Sequence, residues 1–386
     1  MKTWSWIAAA LLPGVLACSS GGSGGFPGSG SGDNGGASGS GSSESGSNGG
    51  SNSGSVQSSG SGSSSGDISD AGVVIPTDGP SISLYDAQIP DADLDAPIVL
   101  TMSPFVVHAH QEVYMCQEFG NPFGKDVDII KMDGYMSAGS HHFFLFNMDA
   151  TTGRTQPAAI AACPGGGKEF HPFPFLSQTP GHYIVTYPQS NMGYPMVAKN
   201  GLMMNVHYLN TSDADISPTA SITIYPAKAG VVTQHVGSIF LNNTFFSVPA
   251  TAVKQWFPST STPITSEPYT IISNWSHMHQ WATDFQAITN NSVFYEETDW
   301  SEPPLITAAP PGVTPVPKNT SALLPLQMKA GQSITWQCNY TNTTGQTLTF
   351  GDSAVNNVMC IYIGQYYPAD TTSLSYPDIV SVLNGT

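Results

Sequence analysis

Basic side chains are scarce: Lys and Arg number 10 against 27 Asp and Glu, for a formal net charge of −17. With no basic patch to neutralise phosphates, nucleic acid and anionic lipid headgroups are excluded as natural partners. Charged residues of either sign make up only 10% of the chain. After the first few residues no apolar run reaches the length of about 18 that a membrane-spanning helix requires, so a mature chain of this sequence is not expected to span a membrane. Helical periodicity is also nearly absent. Strand-like runs such as Ile129-Ile130-Lys131-Met132, Phe143-Phe144-Leu145-Phe146, Leu202 to Leu209 and Ser221 to Tyr225 alternate instead with segments rich in Gly, Pro, Thr and Asn, a pattern of strands and turns. It predicts an all-β protein built from antiparallel sandwiches.

The ends differ from the rest. Met1 to Cys18 carries one positive charge at Lys2, an apolar stretch from Trp6 to Leu12, and Val15-Leu16-Ala17-Cys18. This resembles a lipoprotein signal ending in a lipid-modified cysteine, Cys18. Such a signal implies an extracytoplasmic protein anchored at an outer membrane or cell surface, or simply secreted if cleavage falls nearby. From Ser19 to Gly66, Gly and Ser fill all but ten of 48 positions, a composition that cannot bury enough apolar surface to offset the entropy of ordering. The segment is expected to be a disordered tether reaching roughly 40 Å. The remaining 320 residues (386 − 66) suffice for two domains, expected at residues 67–228 and 229–386, with the boundary near Pro226 to Gly230.

Cys116, Cys163, Cys338 and Cys360 remain once Cys18 is set aside, an even number suited to an oxidising compartment. Three pairings are possible. Two independent domains would close their own bridges, which favours Cys116–Cys163 and Cys338–Cys360.

Six residues at four places then stand out as metal ligands: the pair His141-His142, His207 within a strand-like run, His277 and His279 around Met278, and Met359 beside Cys360. Imidazoles combined with a thioether favour Cu(I) over zinc or magnesium. Two strand residues two apart share a face, so His277 and His279 can converge on one ion while Met278 points away. His141 and His142 are adjacent and should project to opposite faces. One ion can take both only through a local twist or through different ring nitrogens. His108 and His110 are spaced to share a strand face, whereas His171, His182 and His235 are expected at the surface or in hydrogen-bonded core positions.

The runs Ser-His-His-Phe-Phe-Leu-Phe at 140–146, Val-His-Tyr at 206–208, His-Met-His at 277–279 and Val-Met-Cys-Ile-Tyr at 358–362 resemble, in order and spacing, the copper type II, ascorbate-dependent monooxygenases, which include the peptidylglycine α-hydroxylating and dopamine β-hydroxylating enzymes. Glu112 to Cys116 and Gln365 to Pro368 extend the resemblance, which covers about Pro104 to Pro368. It implies two jelly-roll-like β-sandwiches facing each other across a solvent-filled cleft. His141, His142 and His207 would hold an electron-transfer copper in the first domain, and His277, His279 and Met359 an oxygen-binding copper in the second. Tyr114 matches a family tyrosine near the first copper. The activity implied is hydroxylation of a C–H bond with O2, the electrons coming from ascorbate or an equivalent donor, in a monomer acting on a small molecule. An alternative is a copper-binding lipoprotein that handles the metal without turnover.

The substrate end departs from the peptide-amidating members. Their arginine two residues before the His-x-His pair is Trp275 here, and their Asn and Tyr after the ligand methionine are Ile361 and Ile363. Their glutamine two residues before the single histidine is Asn205. A terminal carboxylate would meet apolar walls without a charged partner, which is costly, so a neutral or aromatic substrate is expected.

Overall fold

The computed structural model describes residues 81–83, 89–148, 157–163, 171–177, 180–261, 265–301, 303, 305–308, 320–369 and 379–383. The signal segment, Cys18 and the Gly/Ser tether lie outside the described residues. The described chain is built from strands, with a single short 3₁₀ turn at Asp91–Asp93 and no α-helix. Each strand-like run read from the sequence lies within a strand: Val127–Met136, Ser140–Met148, Gly201–Leu209 and Ala220–Pro226.

Four main sheets account for the fold. The first runs in the order Ser81–Ser83, Gly181–Thr186, Val127–Met136, Ala220–Pro226, Ile98–Thr101, with Met192–Met196 and Gln234–His235 alongside. The second runs Ala161–Ala162, Glu112–Phe119, Gly201–Leu209, Ser140–Met148, His171–Ser177. Their pairings are antiparallel except where Ser81–Ser83 and Gln234–His235 join in parallel. Together they form the first sandwich. Gly134 lets them approach: a Cβ there would sit 2.1 Å from Phe175 Cζ, so the phenyl ring of the second sheet occupies the space left by the missing side chain.

The third sheet is ordered Ile306–Thr307, Tyr269–Met278, Cys360–Tyr367, Gly237–Asn243, Ile379–Leu383, with Leu326–Met328 at one side. The fourth is Gln255–Thr260, Thr335–Tyr340, Ala282–Thr289, Ser292–Glu297, Thr320–Ala322. These make the second sandwich, so the expected all-β, jelly-roll-like architecture is what the chain adopts. The strand Gln234–His235 still pairs with the first sheet and the next, from Gly237, with the third.

Both disulfides pair as the local argument favoured. Cys116–Cys163 spans 4.9 Å between Cα atoms at one edge of the second sheet. Cys338–Cys360 spans 5.9 Å and staples the fourth sheet to the third.

The third sheet is covered on both faces, and strand alternation shows how. Cys360, Tyr362 and Tyr366 enter the core shared with the fourth sheet, while Ile361 and Ile363 enter the core continuous with the first sandwich. In the neighbouring strand, Tyr269, Ile271 and Met278 go to the former and Trp275 to the latter. All ten residues of Tyr269–Met278 are buried, as a central strand covered on both faces requires. Around these residues the solvent cleft implied by the resemblance is replaced by packed side chains. Apolar residues at alternating positions of the third sheet give it a second apolar face, and the first sandwich covers it.

Candidate metal centre

Adjacent histidines on a strand cannot both face one ion unless the strand is distorted, and it is. Along Gly201–Leu209, His207 pairs with His142 but Tyr208 pairs with Ser140, leaving His141 as the extra residue of a β-bulge. A bulge bends and twists its strand and re-aims the side chain it inserts. The two rings consequently lie 5.5 Å apart between centroids, both buried. His207, opposite His142 in register, completes the group at 5.1 Å from each.

His277 pairs with Ile361 and Trp275 with Ile363, so these four share the face of the third sheet turned toward the first sandwich. His279 follows two residues on, its ring 5.4 Å from that of His277. Met359, two residues before Ile361, joins the same apolar cluster, whereas Met278 belongs to the opposite core. The stretch around Met359 is pinned from behind: the Tyr340 hydroxyl donates to the Met359 carbonyl at 2.7 Å and the Trp336 indole to the Cys360 carbonyl at 3.0 Å.

The two histidine sets, expected on opposite sides of a cleft, lie against one another. His142 and His277 are 5.0 Å apart between ring centroids, His141 and His277 5.2 Å, His141 and His279 5.9 Å. Ligand atoms of His141, His142 and His277 all fall within 4.8 Å of one another, so the tightest donor cluster among the described residues draws on both sets. All five histidines are at most 5% exposed.

The chemistry of their ring nitrogens fits a metal. A carboxylate or carbonyl can only accept, so a ring nitrogen bonded to one carries the hydrogen and the other keeps its lone pair. His207 Nε2 donates to Glu112 Oε1 at 2.8 Å, and His279 Nδ1 to the Asn357 carbonyl at 3.3 Å. His142 Nε2 donates to Asn205 Oδ1 at 3.2 Å and lies 3.1 Å from the Tyr114 hydroxyl. The opposite nitrogens, His207 Nδ1, His279 Nε2 and His142 Nδ1, are buried without a hydrogen-bond partner, as is His141 Nε2. Such orphaned acceptors are costly unless something occupies them. A second-ring hydrogen bond to a carboxylate or carbonyl is the usual support of a metal-bound imidazole.

Burial lowers the pKa of His141, His142 and His277 well below the usual histidine value, reinforced by neighbouring histidines. For His279 burial again leads, and the value falls to about 3. The rings are therefore neutral, the form that binds metal. Burial alone would raise the Glu112 carboxyl, but hydrogen bonds from His207, Ser353 and Ala354 outweigh it and hold the group at about 2. Burial raises the Tyr114 phenol.

Beside this centre a narrow cavity, with room for about one water molecule, is lined by Phe144, Trp275, Leu305, Ile363, Ser273 and Gln365, among others. Phe144 is the wall shared with the histidines, 4.7 Å from the ring of His142 and 6.0 Å from that of His277. Trp275 is fixed: its indole N–H donates to the Pro303 carbonyl at 3.1 Å and one face stacks on Tyr183 at 5.8 Å. Of the four residues expected around substrate, Trp275 and Ile363 line the cavity. Ile361 and Asn205 are not among its walls: Ile361 sits opposite His277, and Asn205 is spent holding His142 while its amide touches both sulfurs of Cys116–Cys163 at 3.3 and 3.2 Å.

The other histidines lie elsewhere. His108 and His110 belong to an exposed turn rather than a strand face, and pair with Asp215 and Asp213 at 2.8 and 2.9 Å. His182 and His235 bond to Asp133 and Asp128; the side chain of His171 lies outside the described residues. Three contributors escaped the sequence reading. Glu112 was visible only as part of a motif, although alternation places it on the same strand face as Tyr114. Asn357 acts through its backbone, and Trp300, whose ring lies 5.8 Å from that of His141, comes from an irregular segment with no pattern to mark it.

No family model matches the sequence, and no curated protein matches it. Among solved structures, PNGase F, a glycosylasparaginase from Flavobacterium meningosepticum, aligns over 70% of this chain and 95% of its own at 9% identity, with a TM-score of 0.31. The STIV MCP aligns over 72% and 100% at 9% identity and a TM-score of 0.30. The cowpea mosaic virus top component aligns over 75% and 94% at 6% identity and a TM-score of 0.27. Scores this low leave the architecture to be read from the sheets themselves, and it is that of an all-β sandwich protein whose two halves bring five histidines to one buried centre.

Proposed function

We propose that the chain is a copper-dependent monooxygenase that hydroxylates a C–H bond of a small neutral or aromatic molecule with O2 and a one-electron reductant such as ascorbate. One observation carries the reading: the five histidines of three separated motifs converge, with ring nitrogens of His207, His142 and His279 held by Glu112, Asn205 and Asn357 and with orphaned nitrogens left over. His141, His142 and His207 would hold one copper, and His277, His279 and Met359 the other. Bound copper would supply the one-electron chemistry between reductant and oxygen, and the thioether of Met359 favours the reduced ion.

The protein's own part is to fix ligand tautomers, keep the rings neutral and exclude water. The cavity behind Phe144 would supply the substrate surface, its walls parting to admit an aromatic ring, since as it stands it has room for about one water molecule. Trp275 and Ile363 present apolar walls with no cation among the lining residues, so a buried carboxylate would go unpaired at a cost of several kcal/mol, on the order of the penalty for desolvating an uncompensated charge. Ser273, whose hydroxyl is buried without a hydrogen-bond partner, offers a contact to a neutral polar group. In this reading Cys18 would carry the lipid, and the Gly/Ser segment would join it to the sandwiches.

The test is a copper titration of the full chain followed by oxygen uptake with ascorbate, offering neutral aromatic and phenethylamine-like compounds against a glycine-extended peptide. About two coppers and hydroxylation of the aromatic compounds are expected, with His277→Ala losing turnover. Copper binding without ascorbate-dependent uptake would leave the copper-handling reading in its place. Turnover of the peptide would refute the assignment of the cavity.

A further inference from the structure

The Glu112 carboxylate is hydrogen-bonded to residues of both histidine-bearing halves. Oε1 accepts from His207 Nε2 at 2.8 Å and from the Ala354 amide at 2.7 Å, and Oε2 accepts from the Ser353 hydroxyl at 2.7 Å. Ser353 and Ala354 lie 241 and 242 residues further along the chain, in the loop that leads to Met359. That loop is itself closed by hydrogen bonds. The Asn357 amide donates to the Ser353 carbonyl at 3.0 Å, the Ser353 amide to Asn357 Oδ1 at 3.2 Å, and the Gln280 amide to the Ala354 carbonyl at 3.4 Å. The Asn357 carbonyl then receives His279 Nδ1. A continuous set of bonds therefore runs from His207 through one carboxylate into the loop and out to His279.

We propose that Glu112 is a positioning residue for both ligand sets at once, fixing the ring of His207 directly and that of His279 through the 353–357 loop, so that the two sets are oriented together. This rests on the copper reading above for its function, but the bridge is a property of the metal-free chain. A carboxylate is suited to the task because its two oxygens present about four acceptor positions, three of them used here. A side chain that accepted only once could orient His207 or close the loop, not both. Met359 gains from the same arrangement, since it follows Asn357 by two residues.

The experiment has two arms on the full chain. In the metal-free protein, hydrogen exchange over residues 353–357 should accelerate at least about tenfold in Glu112→Ala, while the amides of the strand Gly201–Leu209 keep their protection. Unchanged exchange in the loop would overturn the bridge. In the copper-loaded protein, Cu(I) competition titration and X-ray absorption read the sulfur-marked set separately from the all-histidine set. Glu112→Ala should weaken both by about 10–100-fold, the usual effect of losing a support to a metal-bound imidazole. Ser353→Ala removes one of the two loop-side bonds, leaving the Ala354 amide and His207 on Oε1, and should weaken only the sulfur-marked set, by less than Glu112→Ala does. Loss confined to the His207 set in Glu112→Ala would overturn the proposal. Should Glu112→Ala not fold, Glu112→Asp decides it, because it keeps the charge but shortens the reach by one methylene so that His207 and the loop cannot both be met: unchanged loop exchange overturns the bridge, and faster loop exchange with weaker copper binding supports it. A wild-type chain that binds no copper yet shows the exchange difference would sink the copper reading and leave the bridge standing.

Discussion

Lowering the pH should destabilise the metal-free chain well before the Glu112 carboxylate protonates. His141, His142, His277 and His279 are buried with their pKa values depressed, the last to about 3. In the unfolded chain each titrates near 6.5. Below that value the unfolded state takes up protons that the folded state refuses, so stability rises with pH and is lost as pH falls from 6.5 toward the folded values. One pH unit is worth about 1.4 kcal/mol per group, so lowering the pH from 7 to 5 costs about 2 kcal/mol for each histidine and about 8 kcal/mol for four. That is comparable with the whole stability of a typical domain, about 5–15 kcal/mol. Glu112 contributes nothing in this window, because its stabilisation is lost only below the unfolded value of about 4.5. Guanidinium unfolding at pH 7 and pH 5, with proton uptake followed by calorimetry in buffers of different ionisation heat, measures the effect. His279→Asn should lower the uptake by about one proton. A free energy of unfolding that changes by less than about 2 kcal/mol between the two pH values would refute the burial argument, since even one neutral histidine should account for that much.

Other substitutions test separate parts of the structure. Gly134→Ala forces a methyl into the Phe175 ring and should cost about 1–3 kcal/mol or more in chemical denaturation, whereas a neutral result would mean that the first two sheets do not approach as described. Met359→Ile keeps the volume of a buried side chain and should leave the unfolding midpoint nearly unchanged, while the Cu–S contribution in X-ray absorption of the reduced, copper-loaded chain disappears; its persistence would point to Met278. Replacing both cysteines of Cys338–Cys360 should cost about 3 kcal/mol and of Cys116–Cys163 about 4 kcal/mol, scaled from loops of 22 and 47 residues, and a reversed order would show that packing rather than chain entropy dominates.

The all-β class was legible because alternation in runs such as 202–209 and 221–225 needs no long-range information. The disulfides were legible because each closes within one half. The distortion at His141 was foreseeable as one of two ways in which adjacent strand residues could serve one ion, although nothing in Ser140 to Phe146 says on which residue the bulge falls. Other features depended on contacts between distant segments. Asn205 reads as a pocket residue until its partners, His142 and the Cys116–Cys163 sulfurs, are in place. The link from Glu112 to Ser353 joins positions 241 apart, with no local pattern at either end. The closeness of the two histidine sets follows from which faces of the second and third sheets meet, which alternation within one strand cannot specify.

The two-sided burial of the third sheet has a consequence for dissecting the protein. A fragment beginning near Gly237 would retain its own sandwich core but present Trp275, Met359, Ile361 and Ile363 to water as one adhesive surface, with the partner half no longer there to cover it. Such surfaces drive self-association. The halves are thus better regarded as complementary subunits joined by a peptide bond than as separable modules, and co-expression of both pieces is the condition under which either should stay in solution.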